Sequence, residues 1–290
     1  MENSRLCAVL ALLGCSCDGV SARRFCAEED GTPYNVWRID TPQGAYVLKK
    51  TSPEERRVYE TFFTKEDTFV PAVYGYAEYE GELYMLMEYI DGQSMCNCTR
   101  KQLTLTLDSL IAMQERFWND TAHADIGYGF SASWPNRKKR LQYMGDLARA
   151  YSAYLEEFRT IPRTLCNDDM LPINVLVTKE RSVVIDWEFG GILPYPCALA
   201  RLIAFGEETP GELFYMSRED RDFALDYYYR RIISKKGIGR EEYDRTMKLF
   251  FFKEYSEWVY CAGMSGDYDS PYYARYAPMA QQLAQELGLN

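Results

Sequence analysis

A chain of 290 residues, 47% hydrophobic and 26% charged, is long enough for one large domain or two lobes around a sizeable core. Its formal charge of −10 argues against a general nucleic-acid surface, because phosphate binding is driven by clustered Lys and Arg. His123 is the only histidine, which removes Ser-His-Asp, Cys-His and multi-histidine metal chemistry and leaves carboxylates for acid–base work.

The nine cysteines are an odd count, and neither close pair, Cys15/Cys17 or Cys96/Cys98, suits a tetrahedral zinc site, so free thiols in a reducing cytosol are expected. The apolar run at residues 6–14 follows MENSR, which has no net positive charge, and reads as a short amphipathic helix docked on the fold in preference to an export signal. No apolar run approaches transmembrane length, so the expectation is a cytoplasmic protein without a membrane partner.

In chain order, residues 36–40 and 45–49 are β-type and joined by Thr41-Pro42-Gln43-Gly44, where Pro and Gly suit a type I turn. Ser52-Pro53-Glu54-Glu55 then opens a helix predicted to reach about Phe63, with Ser52 as cap and Glu55 placed to close a capping box. Residues 70–78 and 82–90 form a second hairpin turned at Glu80-Gly81, and Asp91-Gly92-Gln93-Ser94 marks a boundary. Beyond it Leu103, Leu107, Leu110, Ile111, Phe117 and Trp118 recur at helical spacing, and residues 136–158 make a second helix. Two β-type runs, 174–177 and 182–186, interrupt these helices before helix-rich sequence resumes at Pro196.

The chemistry concentrates around those two runs. Asp169 lies five residues before Asn174, directly ahead of Val175-Leu176-Val177, and Val183-Val184-Ile185 delivers Asp186. A tight turn between the strands would bring Asn174 and Asp186 side by side as hard oxygen ligands of the kind magnesium requires. Asp169, on the preceding loop, could meet a substrate hydroxyl. Phosphoryl transfer needs such an arrangement, because its catalysis is mostly positioning and charge neutralisation.

The sequence resembles the aminoglycoside phosphotransferase and choline kinase-like branch of the protein-kinase-like fold. That family's loop usually reads His-Gly-Asp-x-x-x-x-Asn, and Asn167-Asp168-Asp169 with Asn174 occupies the same register. Ile185-Asp186-Trp187-Glu188 resembles the metal-binding segment, Tyr46-Val47-Leu48-Lys49 the strand with the phosphate lysine, residues 70–75 the run entering the fourth strand, and Leu86-Met87-Glu88-Tyr89 the hinge. The matches run in order over about residues 31 to 205, which is more specific than any one motif.

The resemblance implies an α+β, bilobal fold: a nucleotide-binding N-lobe over residues 1–90, with a small antiparallel sheet and one main helix, and a larger, mostly helical C-lobe over 91–290. It implies a small-molecule kinase using Mg2+ and ATP or GTP, with Asp169 as catalytic carboxylate, Asn174 and Asp186 as metal ligands, Lys49 on the phosphates and Glu55 as its partner. Val47 would roof the base, and Met87, Glu88 and Tyr89 would form the hinge. The acceptor would be a small hydroxyl compound of the cationic, aminoglycoside-like kind. Glu254, Glu257 and Trp258 fall on one side of a late helix that could bind it.

Several residues carry plainer readings. Lys49 and Lys50 could decorate an edge strand, Glu54 competes with Glu55, and Asp168 competes with Asp169, although only Asp169 has the spacing to Asn174. Gly31, ahead of Tyr34 and Asn35, is explained by turn chemistry without a full glycine-rich signature. The late glutamates could simply be exposed around a Trp258 that packs inward. Relative to the family pattern, Asn167 replaces histidine, Asp168 replaces glycine, Ala198 replaces an aspartate supporting the loop, and Gln114 stands where relatives often carry histidine. These departures motivate an alternative, a nucleotide-binding pseudokinase or scaffold. The absence of the glycine-rich loop and of an Ala-Pro-Glu segment argues against a protein kinase.

Overall fold

Alternating burial along residues 33–50 and 73–88 builds one antiparallel sheet in the computed structural model, which describes residues 3–26, 31–207, 209–210 and 212–289. The ends of the two expected lobes, residues 1, 2 and 290, lie outside the described residues. The sheet contains β1 (Ser21–Cys26), β2 (Pro33–Thr41), β3 (Gly44–Lys50), β4 (Val73–Tyr79) and β5 (Glu82–Glu88), in the order β1-β2-β3-β5-β4. Both expected hairpins form, the second across Glu80 and Gly81, which have φ of 53° and 75° and so match the right-handed twist of the strands.

Lys49 therefore sits on a central strand, between β2 and β5, and is not an edge-strand lysine. The edge strand β1 was not anticipated. Its sequence, SARRFC, has no apolar alternation and is almost wholly exposed, so it forms by pairing with β2 rather than by burying a face.

Two helices cover the sheet. On one side α1 (Asn3–Leu12) places Leu6, Val9 and Leu10 against Trp37, Ile39, Leu48, Tyr84 and Leu86, forming a small core of its own. Cys7 in α1 is joined to Cys17 by a disulfide with Cα atoms 5.3 Å apart, which corrects the expectation of free thiols throughout. On the other side α2 (Pro53–Phe62) buries Glu55, Val58, Tyr59 and Phe62, an i, i+3, i+4, i+7 stripe. Burying a ring such as Phe62 is worth about 1.5–3 kcal/mol.

Beyond β5 the chain is mostly helical: α3 (Arg100–Arg116), α4 (Phe130–Lys139), α5 (Ala148–Phe158), α6 (Pro196–Ile203), α7 (Arg218–Arg231), α8 (Arg240–Ser265) and α9 (Pro271–Glu286). The single helix expected over 136–158 is two, separated by short 3-10 turns, because Gly145 takes a φ of +50° that a continuing α-helix cannot use. Short strands carry the loops that matter. β6 (Gln93–Ser94), β8 (Val175–Val177) and β9 (Ser182–Val184) form one sheet, and β7 (Arg163–Asn167) pairs with β10 (Gly190–Pro194). The result is the α+β, protein-kinase-like arrangement that the resemblance implied. Among the described residues no helix is long and apolar enough to cross a membrane.

Candidate active site

Ser52 caps α2 by accepting the Glu55 N–H at 3.1 Å, and this turn aims the Glu55 side chain inward. Its carboxylate does not serve the cap. It takes Lys49 Nζ at 2.6 Å, the Thr51 hydroxyl at 2.6 Å and the Trp187 N–H at 3.0 Å. Lys49 Nζ also reaches Asp186 Oδ1 at 2.9 Å. Burial lowers the lysine's pKa, but Glu55 and Asp186 outweigh it and raise it above the usual value, so the ammonium is held charged in the cleft.

The β8–β9 hairpin sets Val175 opposite Val184, and the Ile185 N–H donates to the Asn174 carbonyl at 2.9 Å, so Asn174 and Asp186 emerge from the same end of the hairpin. Asp186 has φ +57°, a left-handed conformation that Asp tolerates better than most residues. Asn174 Nδ2 donates to both the carbonyl oxygen (2.8 Å) and Oδ2 (3.0 Å) of Asp169. With its nitrogen so engaged, its amide oxygen points elsewhere and bonds no donor among the described residues. No group of three or more His, Cys, Asp or Glu suited to a metal occurs among the described residues. One carboxylate and one amide oxygen are nonetheless the sparse, hard-oxygen protein set that suits magnesium held jointly with phosphates and water.

Asp169 and Asp168 are separated by their surroundings. The Asp169 N–H donates to Asn167 Oδ1 at 2.9 Å, and Asp169 Oδ1 accepts from Arg201 Nη2 at 2.8 Å. Burial raises the Asp169 pKa, and neighbouring Asp186 and Asp168 add to this, while Arg201 opposes it; the net direction is upward. Asp168 turns inward to Arg137, which is fully buried, and to Lys253 at 3.5 Å. Burial also raises its pKa, but those two cations dominate and hold it well below the usual carboxylate range. A carboxylate tied up in this way is an internal counter-ion, whereas Asp169 keeps 28% of its side chain exposed.

Val47 lies opposite Met87 in the β3–β5 ladder, both on the sheet face that packs against the main core, and Met87 is buried. The hinge side chains are already engaged: Glu88 binds Arg181 and the Ala72 N–H, and Tyr89 accepts from Arg38 at 3.0 Å.

Of the three late-helix residues, Trp258 packs against the core as the plainer reading had it, while the two glutamates are arranged differently from either reading of the sequence. Glu254 is fully buried and paired with Arg201 (3.1 Å) and Lys253 (2.9 Å), and Glu257 pairs with Arg140 and Lys253. Neither is a free carboxylate for a cationic acceptor, nor an exposed surface residue. Trp258 stacks on Tyr272 with ring centroids 4.2 Å apart.

Arg137, Arg201 and Lys253 were not singled out from the sequence. Lys253 carried a signal: a cation directly after Leu249-Phe250-Phe251-Phe252 must be paired inside the fold. Gln114 is also internal, donating to the Tyr195 carbonyl at 3.1 Å and accepting from Tyr228.

The structure thus brings together a lysine anchored by a helix glutamate, an Asp–Asn pair at one end of a hairpin and a loop carboxylate. The chain belongs to the phosphotransferase enzyme family (APH), which matches residues 27–232. No curated protein matches it in sequence. Solved structures similar to it include an aminoglycoside phosphotransferase APH(4)-Ia in a ternary complex with ADP and hygromycin B, at 14% identity and TM-score 0.58, covering 95% of this chain and 96% of that one. A putative fructosamine-3-kinase from Haemophilus somnus 129PT has 12% identity and TM-score 0.61, over 98% and 97% of the two chains. Choline kinase from Cryptosporidium parvum Iowa II has 11% identity and TM-score 0.59, over 93% and 91%. At these identities the likeness is one of fold.

Proposed function

We propose that this chain transfers the γ-phosphoryl group of a nucleoside triphosphate, ATP or GTP, to a hydroxyl of a small molecule. Residues 1–90 would bind the nucleotide and 91–290 would carry the catalytic loop and acceptor site. The observation that carries this reading is the Lys49 ammonium bonded at once to Glu55 and Asp186, across from Asp169 and Asn174 on one loop and hairpin. Similar structures that include a complex with ADP support a nucleotide donor.

In this reading Lys49 grips the phosphates, and Val47 and Met87 contact the base. Asn174 and Asp186 would hold Mg2+, which neutralises phosphate charge when bound. Asp169 orients the acceptor hydroxyl and takes its proton as the oxygen bonds to the γ-phosphorus and the bond to the leaving nucleoside diphosphate breaks. Asp168 has no part in the proton transfer.

With Glu254 and Glu257 paired internally, no free carboxylate of that helix is assigned to a cationic acceptor, and the acceptor class is taken as small hydroxyl compounds of any charge. Nucleotide consumption with Mg2+ across an acceptor panel tests the reading. Turnover with one acceptor that disappears in Asp169→Asn is expected, and equal turnover in that variant overturns the assignment.

A further inference from the structure

We propose that Tyr128 and Phe189 form the corner against which the phosphoryl acceptor rests, so that the acceptor is a hydroxyl compound carrying a flat ring. The inference rests on the kinase reading and narrows its acceptor class.

Phe189 stands where the two halves of the site meet. Asn167 lies opposite Gly190 in the β7–β10 ladder, and the next step is closed by the Asp168 N–H, which donates to the Phe189 carbonyl at 3.0 Å. Phe189 is thereby held beside the loop residue that precedes Asp169, three positions after Asp186. Tyr128 reaches it through a second main-chain bond. Its N–H donates to the Gly190 carbonyl at 2.8 Å, and the two rings meet edge to face, with 5.3 Å between centroids and 82° between planes.

Two glycines permit that approach. Gly127 has φ +59°, and a Cβ there would lie 2.5 Å from the Gly190 carbonyl oxygen; a Cβ on Gly191 would lie 2.6 Å from the Gly129 Cα. The main chain is thus tightly fixed on both sides, while the rings are not packed away. Phe189 is 43% exposed, and neither ring joins the main core. The Tyr128 hydroxyl hydrogen-bonds no group among the described residues. Burial raises its pKa, Arg137 opposes this and Asp168 adds to it, so the phenol stays a neutral donor within reach of the Asp168 charge.

A lone apolar ring on a surface is ordinary. This one differs in its rigid mounting and in the open phenol beside it, next to the proposed base. Apolar walls with a few orienting polar groups are the makeup of a small-molecule site. A flat ring laid in the corner meets one aromatic face and one edge, the contacts that aromatic systems prefer, and its hydroxyls are left for Asp169 and Tyr128. An open-chain polyol has the hydroxyls without the face. Sugar rings and aryl rings share the flat face, and the test separates them.

The plainer account is that Tyr128 only shields Phe189 from water. Protein labelled with 4-fluorophenylalanine is titrated by fluorine-19 NMR in the presence of MgADP, with methyl α-D-glucopyranoside, benzyl alcohol and open-chain sorbitol as probes. The Phe189 signal is assigned by its loss in both Phe189→Leu and Phe189→Trp. Affinities in all three proteins come from ligand-observed saturation transfer. The expected result is a Phe189 shift with the glucoside or benzyl alcohol and none with sorbitol. Binding of that ring compound should weaken by about 3- to 10-fold in Phe189→Leu and be largely kept in Phe189→Trp.

No shift with either ring compound overturns the proposal, as does an equal shift with sorbitol or an affinity that Phe189→Leu leaves unchanged. Nucleotide consumption with an acceptor whose KM is the same in wild type and Phe189→Leu sinks this proposal alone. Ring compounds that bind at Phe189 in a protein that consumes no nucleotide with any acceptor leave the corner standing as a binding site and sink the kinase reading.

Discussion

Asn167 donates its side-chain N–H to the main-chain carbonyl of Asp186 at 2.8 Å and accepts the Asp169 N–H at 2.9 Å. One buried amide thereby joins the loop that carries the proposed base to the segment that carries the proposed metal ligand. Histidine is usual in the family at this place, and an amide does a similar two-sided job with one donor and one acceptor.

Asn167→Ala should therefore loosen both parts together. Turnover is expected to drop by about 10- to 100-fold, the usual effect of losing a supporting hydrogen bond behind a ligand. Asn167→His should recover part of it. Steady-state kinetics with one accepted substrate check this, and an alanine variant with wild-type kcat would show that the bridge is dispensable.

The adjacent aspartates should fail in different ways. Asp169→Asn keeps the loop's shape and removes the proposed base, so kcat should fall by about 10² to 10⁴ with little change in melting temperature. Asp168→Asn leaves Arg137 and Lys253 buried with less compensation and should cost about 3–5 kcal/mol of stability. Thermal melting and kinetics on both variants separate these outcomes; equal melting temperatures would contradict the internal counter-ion role.

Lys49→Met removes the cation that Glu55 faces at 1% exposure, although Thr51 and Trp187 still donate to that carboxylate. Phosphate positioning should be lost, together with about 1–3 kcal/mol of stability. Adding Glu55→Gln should restore stability but not turnover. Denaturant midpoints of the single and double variants test the coupling, and additive losses would show that the pair is not coupled.

Acid should unfold the protein through the buried cluster. Burial raises the Glu257 pKa, but Lys253 and Arg140 bring it down to about 2, below the roughly 4.3 of an unfolded glutamate. Its stabilisation is complete above that unfolded value and is lost as pH falls towards about 2. The contribution is about 1–3 kcal/mol, allowing for the 18% of the side chain still exposed. Denaturant midpoints between about pH 6 and 2.5 should fall less steeply in Glu257→Gln than in wild type, and parallel curves would exclude this role.

The residues that were legible in the sequence share one property: their spacing is fixed by a short local structure. Asp169, Asn174 and Asp186 lie on one loop and one tight hairpin, and Glu55 sits in the first turn of a helix with a visible cap. Arg201, Arg137 and Lys253 gain their meaning from α6, α4 and α8 meeting around the loop, and no local period announces that. The Cys7–Cys17 disulfide was missed because the nearest cysteines in sequence are not the ones that α1 brings together. Strand β1 escaped because its pairing partner, not its composition, makes it a strand.

The left-handed backbone at Asp186 makes one residue answer to two demands. Its side chain is read here as the metal ligand, while its φ of +57° restricts which amino acids fit the turn without strain, chiefly Asp, Asn and Gly. A lineage that gave up the chemistry would still be under pressure to keep the turn. Its commonest replacements should then be Asn or Gly, and a small or polar residue surviving at this place would attest to the fold rather than to activity. Alanine would confound the loss of a carboxylate with backbone strain, so Asp186→Asn is the substitution that isolates the charge.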